Sequence, residues 1–267
     1  MLAERPTLHT SRKQRAAACN ELACELVFRP LAHGVVFLLA PLRVPPPAVV
    51  LASTVTGGAS AWLITQGNLL FAALLLQLKT VLDNADGQLA RATGRVSVFG
   101  RYLDSESDLV VDALLFTAIG YETHQAVLAA VAFCALTLVL SVDYNLERLY
   151  RREQGEPEPQ PEHPNGATAL VARAYTIVYA PQDRLVERLV ERRLRGASPA
   201  TRAAYHDELT LTVLANFGLS TQLAVLGICL AAGSAVAYLW VAIACAAGLV
   251  PVLLYREWAA GRLRSRG

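Results

Sequence analysis

The chain has 267 residues, of which 54% are hydrophobic and only 17% charged, against roughly 45–50% and about 25% in ordinary soluble domains. That shift excludes disorder over most of the length and argues against a soluble enzyme, while a mean hydropathy of only +0.37 requires a polar segment to dilute the apolar ones. A net charge of +2, with no basic and aromatic patch, argues against nucleic acid as a partner.

In chain order, the first 25 residues hold no apolar stretch of the kind a cleaved signal peptide needs. Residues 26–42 carry Arg29, Pro30 and His33 among apolar residues. They read as an amphipathic helix lying on a membrane surface rather than a span. Pro45, Pro46 and Pro47 separate it from the first long apolar run. Such runs occupy about 47–65, 69–90, 102–120, 125–143, 210–232 and 235–255. Each is near the ~20 residues that cross a bilayer as a helix.

Charge supports the count of six. Six spans leave the turns near 66–68, 121–124 and 233–234 on one side, and none of the 24 Lys and Arg residues falls there. Arg43 and the basic residues before it, Arg91, Arg95, Arg101, the arginines from Arg148 to Arg202 and those from Arg256 onward all fall on the other. The positive-inside rule places both termini in the cytoplasm. Residues 153–166 read as a Pro/Glu-rich linker. After Pro181, Leu185, Val186, Leu189, Val190 and Leu194 recur at helical spacing. That segment is either a cytoplasmic helix packed on the membrane part or on a partner, or a lid or acceptor-binding element. Cys19, Cys24, Cys134, Cys229 and Cys245 form no C-x-x-C pair and read as small apolar residues.

The expected fold is an all-α integral membrane protein with six transmembrane helices, an N-terminal interfacial helix and a cytoplasmic helical insertion. Its parts are a cytoplasmic N-terminus and interfacial helix (1–46), four spans (47–145), a cytoplasmic linker and amphipathic helix (146–209), two spans (210–256) and a cytoplasmic tail (257–267).

The 22 acids are unevenly spread: Asp83, Asp86, Asp104, Glu106, Asp108 and Asp112 fall within 30 residues at the junction of the second and third runs. An unpaired acid at bilayer centre costs about 2.5–3.5 kcal/mol. The six must therefore face inward, sit near the cytoplasmic edge or bind cations. Asp83 and Asp86 share a helix face, and Asp104, Asp108 and Asp112 form a stripe at four-residue steps. Hard carboxylate ligands suit Mg²⁺ or Mn²⁺. Four of them can hold two ions, an arrangement that activates a nucleophile and stabilises a phosphoryl leaving group. An ion path for a cation transporter is the non-enzyme alternative, but it predicts acids spread through the bilayer depth. Gly87 and Gly100 mark close approach by a helix or a ligand.

Together these residues spell D-x2-D-G-x2-A-R-x8-G-x3-D-x3-D, from Asp83 to Asp108 without a gap. The pattern resembles the signature of the CDP-alcohol phosphatidyltransferase family. Eight fixed positions make a chance match on the order of 10⁻⁸. The resemblance covers about 28–145 and 210–256, and the 149–209 insertion is longer than the family plan.

The resemblance implies that Asp83, Asp86, Asp104 and Asp108 bind two divalent cations, Mg²⁺ or Mn²⁺. It implies that Gly87, Ala90, Arg91 and Gly100 line the site of the cytidine nucleotide. Asp108 would also be the general base for an acceptor hydroxyl. The implied reaction transfers a phosphatidyl group from CDP-diacylglycerol to a polar alcohol and releases CMP. The alternative moves a phospho-alcohol from a CDP-linked head group to a lipid or other acceptor. Candidate acceptor contacts are Arg148, Arg151, Asn216, Gln222 and Arg256; for each arginine the alternative is positive-inside anchoring. The expected setting is a homodimer, among membrane lipids in a prokaryotic inner membrane, with the active site facing the cytoplasm.

Overall fold

The structure is a computed structural model that describes residues 21–155, 167–198, 201–202, 205 and 207–264. The expected readings of Cys19, of most of the linker and of the basic residues before position 21 lie outside the described residues, as does Arg266. Among the described residues all regular structure is helical.

A π-helical turn at Cys24–Phe28 leads into α1 (Arg29–Leu39). Next come α2 (Pro46–Thr65), α3 (Leu69–Ala92), α4 (Val98–Glu122) and α5 (Ala126–Glu153). Among the described residues, the helices α6 (Ala167–Arg193), α7 (Glu208–Ala215), α8 (Leu219–Ala231) and α9 (Ala235–Arg264) follow. Among the described residues, four segments are long and apolar enough to cross a membrane: Pro46–Thr65, Ala126–Glu153, Glu208–Ala231 and Ala235–Ala259. The helices α3 and α4, at 24 and 25 residues, have the length but carry the acids.

The boundaries differ from the sequence reading in four places. The fourth apolar helix does not stop near 145 but runs to Glu153, and the last runs to Arg264. The run 210–232 is broken into α7 and α8 at 216–218. The break is held from a distance: Leu22 N–H donates to Asn216 Oδ1 at 3.0 Å, and the Glu21 carboxylate accepts from the Thr221 amide in the first turn of α8. An acceptor there satisfies a donor that the helix itself leaves open. Finally, α6 does not begin after Pro181 but passes through it. The proline forgoes one backbone hydrogen bond, and packing of α6 on α4 and α5 offsets that cost.

The packing is organised by α2, which lies against both α3 and α4. At the crossing of α3 and α8, Gln77 Nε2 donates to the Leu223 carbonyl at 3.1 Å. A Cβ on Gly227 would fall 2.0 Å from that nitrogen, so only glycine admits the side chain. The main core joins Ile64, Leu76, Val111, Leu115, Ile119, Leu136, Leu226 and Tyr238. A second cluster buries Val186 and Val190 of α6, and Leu194 just beyond its end, against Val142, Leu146 and Leu149 of α5 and Leu211 and Leu214 of α7. Leu185 and Leu189, from the same expected stripe, are exposed. A third cluster packs Ala32 and Val36 of α1 against Ala85 and Leu89 of α3. The opposite side of α1 exposes Leu31 and Leu38.

Candidate active site

Two consecutive helices supply the acids. The turn after α3 contains Gly94 at φ +66°, where an L side chain is strained. Ser97 then caps α4, its Oγ accepting from the Gly100 amide at 3.0 Å. This reverses the chain, and α2 lies against both α3 and α4, so that acids from the C-terminal half of α3 and the N-terminal half of α4 come together. Lys79 bridges Asp83 and Asp108, and its stem meets Gly57 of α2 at the place where Val111, the neighbour of Asp112, also does.

Asp83, Asp104 and Asp108 each offer a carboxylate oxygen, all within 4.8 Å of one another. Asp83 and Asp108 are 17% exposed, so a solute can reach them. Lys79 lies beneath at 1% exposure; its Nζ is 3.2 Å from Asp83 Oδ1 and also pairs with Asp108 Oδ1. Like charges this close repel strongly unless a cation sits among them. Here the ammonium does so, and three hard oxygens at this spacing also suit a small divalent ion.

Asp86 is not one of this trio. It is buried, and its Oδ1 accepts from the Gly87 amide next to it. The missing side chain of Gly87 leaves room for the Arg91 guanidinium, whose Nη1 would lie 3.3 Å from a Cβ there. Ala90 is half-buried on the same helix. Gly100 has a structural reason of its own in the Ser97 cap. Glu106 and Asp112 are buried, and Asp112 Oδ2 has no hydrogen-bond partner among the described residues.

The proposed acceptor contacts are all engaged within the protein. Arg148 pairs with Glu187 of α6 at 3.3 Å and Arg151 with Glu147 at 2.6 Å. Asn216 holds the break between α7 and α8. Gln222 donates to the Phe217 carbonyl and accepts from Tyr238 Oη, each at 3.4 Å. Arg256 is buried, donates to the Tyr205 carbonyl and lies 3.9 Å over the Tyr205 ring.

Two residues of α6 are functional neighbours of the site that sequence reasoning does not single out. Asp183, 8% exposed, accepts from Asn145 Nδ2 at 2.6 Å and Ser141 Oγ at 2.7 Å, pinning α6 to α5. Tyr179 lies one turn earlier. Burial, and then the charges of Asp112, Asp108 and Glu106, push its phenol well above the ordinary tyrosine range. The insertion helix thus reaches the acidic site. The signal for both residues is the upstream continuation of the stripe 186, 190, 194, hidden by Pro181.

The CDP-alcohol phosphatidyltransferase family matches residues 44–194, more than half of the chain. A phosphatidylinositol phosphate synthase of Corynebacterium glutamicum is 36% identical over 104 residues, which cover 36% of this chain and 48% of that protein. A bifunctional IPC transferase and DIPP synthase of Thermococcus kodakarensis is 36% identical over 107 residues, 40% of this chain and 24% of that protein. A CDP-diacylglycerol–serine O-phosphatidyltransferase of Methanocaldococcus jannaschii is 40% identical over 63 residues, 22% of this chain and 31% of that protein. The chain therefore spans about half, or less, of the length of these relatives.

Proposed function

The chain belongs to the CDP-alcohol phosphatidyltransferase family, and on that premise we propose that it transfers a phosphatidyl group from CDP-diacylglycerol to the hydroxyl of a polar alcohol, releasing CMP. The observation that carries this reading is the convergence of Asp83, Asp104 and Asp108 from two helices that both pack on α2. The names of the relatives from C. glutamicum and of two archaetidylinositol phosphate synthases direct the acceptor toward an inositol phosphate.

In this reading Asp83, Asp104 and Asp108, together with Asp86, hold divalent ions, Mg²⁺ or Mn²⁺. Their fit rests on the donor set and on the ammonium already seated among the carboxylates. Bound there, the ions supply charge neutralisation for the diphosphate and its departing CMP. Arg91, folded over Gly87, meets the diphosphate at the cytoplasmic end of α3. Asp108 removes the proton of the acceptor hydroxyl. The freed oxygen attacks the β-phosphorus, the bond to the CMP oxygen breaks, and a phosphodiester forms. Tyr179 closes the side of the site formed by α6.

The membrane reading runs along the same lines. The helices α2, α3, α4, α5, the α7–α8 pair and α9 make six spans. Acids on α3 and α4 are tolerated because they face inward near the cytoplasmic end. The apolar outer face of α1 rests on the bilayer surface. Both ends of the described chain lie on the cytoplasmic side, with α6.

The test is CMP release by purified protein with Mg²⁺ and CDP-diacylglycerol across a panel of inositol phosphate, inositol, glycerol phosphate, serine and phosphatidylglycerol. A phosphatidyl product with inositol phosphate supports the full reading. Turnover only with a CDP-linked polar alcohol and a lipid acceptor replaces the donor. No CMP release with any donor overturns the assignment.

A further inference from the structure

We propose that Lys79 is a resident counter-cation of the acid cluster, and that its ammonium passes from Asp83 and Asp108 to Asp112 when divalent ions enter. The proposal rests on the reading that the cluster binds such ions.

The geometry has two levels. Above are Asp83 and Asp108, each 17% exposed; below are Lys79 and Asp112, at 1% and 2% exposure. Lys79 precedes Asp83 by four residues on α3, and Asp112 comes four after Asp108 on α4. Both helices pack on α2, where a Cβ on Gly57 would lie 3.3 Å from Lys79 Cγ and 2.5 Å from Val111 Cγ1, so Lys79 and Asp112, the residue after Val111, lie at a similar depth. Yet the ammonium is not shared at that level. It bonds upward to Asp83 Oδ1 at 3.2 Å and to Asp108 Oδ1.

Asp112 is left with a buried Oδ2 that has no hydrogen-bond partner among the described residues. A buried carboxylate oxygen without a hydrogen-bond partner carries a desolvation cost. Lys79 is close enough to act on Asp112 electrostatically. The lower level therefore contains an acceptor for which the upper arrangement has no use.

Divalent ions entering from the exposed side need the same oxygens that the ammonium holds. Two cations cannot share Asp83 Oδ1 and Asp108 Oδ1 without strong repulsion. Removing Lys79 from the upper level without a new partner would leave a buried, unpaired charge. Asp112 removes that obstacle. Lys79 Cγ lies 3.3 Å from where a Cβ on Gly57 would be, so a move of Nζ to Asp112 calls for rotation about the bonds beyond Cγ alone. Lys79 and Asp112 are thus positioning residues for ion binding, and neither need touch the substrate.

The experiment titrates the purified full chain in detergent with Mn²⁺, reading free Mn²⁺ by electron paramagnetic resonance. Lys79→Met should bind Mn²⁺ at least about tenfold more tightly than the parent, because the competing cation is gone. Asp112→Asn should weaken binding at least about fivefold when Lys79 is present, and by less than about twofold in the Lys79→Met background. Non-additivity is the deciding feature. A carboxylate that merely adds to the local field would weaken Mn²⁺ binding equally in both backgrounds, and that result overturns the proposal. So does a Lys79→Met protein that binds no more tightly. Lys79→Gln keeps a hydrogen-bond donor and replaces Lys79→Met if that variant does not fold. The double variant Lys79→Gln with Asp112→Asn should fold in Mn²⁺, since the ions then supply the missing charge; failure to do so also overturns it. A parent protein that binds no Mn²⁺ at millimolar concentration removes the ion-binding reading itself, an outcome distinct from all of these.

Discussion

Gly57 on α2 lies so close to Val111 on α4 that a Cβ on the glycine would fall 2.5 Å from Val111 Cγ1. Val111 is fully buried and, being β-branched, has little freedom to turn away. The contact sets the distance between α2 and the helix that carries Asp104 and Asp108. Gly57→Ala should therefore destabilise the protein by about 1–3 kcal/mol through overpacking, measured by denaturant unfolding in detergent. It should also lower CMP release, since α4 must shift. Adding Val111→Ala should restore most of both. A single variant as stable as the parent would show that the crossing tolerates a methyl group.

The acids were legible in the sequence because charge is rare in apolar helices. Helix geometry puts Asp104 and Asp108 on one face of α4, and the packing of α3 and α4 on α2 brings their oxygens together with that of Asp83. What was not legible depends on partners distant in the chain. The break at 216–218 looks like an uninterrupted apolar run, because Glu21 and Leu22, which hold it, are about 200 residues away. The role of α6 was hidden differently. Pro181 is a strong local stop signal, yet its cost is confined to one hydrogen bond, and burial of Val186, Val190 and Leu194 together with the Asp183 network outweighs it.

Asp183 is the polar anchor of that docked helix. Asp183→Ala leaves Asn145 Nδ2 and Ser141 Oγ without the acceptor they now reach at 2.6 and 2.7 Å. Hydrogen bonds to a charged group contribute about 1.5–3 kcal/mol each at most, and the deleted carboxylate also relieves some desolvation. A net loss of about 2 kcal/mol is expected, with α6 becoming sensitive to limited proteolysis while α2 to α5 stay protected. Asp183→Asn, which keeps one acceptor, should lose less than half as much. Equal protease sensitivity in parent and Asp183→Ala proteins would show that α6 is held by its apolar face alone.

Alkaline pH should weaken the clasp between α9 and the segment before α7. Tyr205 Oη donates to Glu257 Oε1 at 2.7 Å. Burial, and then this hydrogen bond, push the phenol up from 10.0 to about 12. The folded state thus keeps its proton where the unfolded state loses it. The resulting stability is fully present below pH 10 and is lost as pH rises from 10 to about 12. The size is roughly 1–2 kcal/mol, below the full linkage value because the site is only partly shielded. Tyr205→Phe should be less stable than the parent at pH 8 by about 1 kcal/mol and should show a flatter alkaline limb. Parallel limbs in the two proteins would assign the alkaline loss to another group.

Asp108 gives the sharpest test of the chemistry. It adjoins both Asp104 and Asp83 and is exposed enough to meet an acceptor hydroxyl. Asp108→Asn keeps the side-chain shape but removes the negative charge and the capacity to take a proton. General base catalysis alone contributes about 10²–10⁴-fold, and loss of an ion ligand adds to it. CMP release should therefore fall by at least about 10³-fold at saturating Mg²⁺. The variant should remain folded, because removing one of several crowded carboxylates relieves repulsion while Lys79 keeps Asp83 as its partner. Chelation of divalent ions should abolish turnover in the parent, and added Mg²⁺ or Mn²⁺ should restore it there but not in Asp108→Asn. The two losses separate in binding: the variant should still take up CDP-diacylglycerol, since Gly87 and Arg91 are untouched. Near-normal turnover by a folded Asp108→Asn protein would exclude this aspartate as the base and leave it at most a replaceable ion ligand.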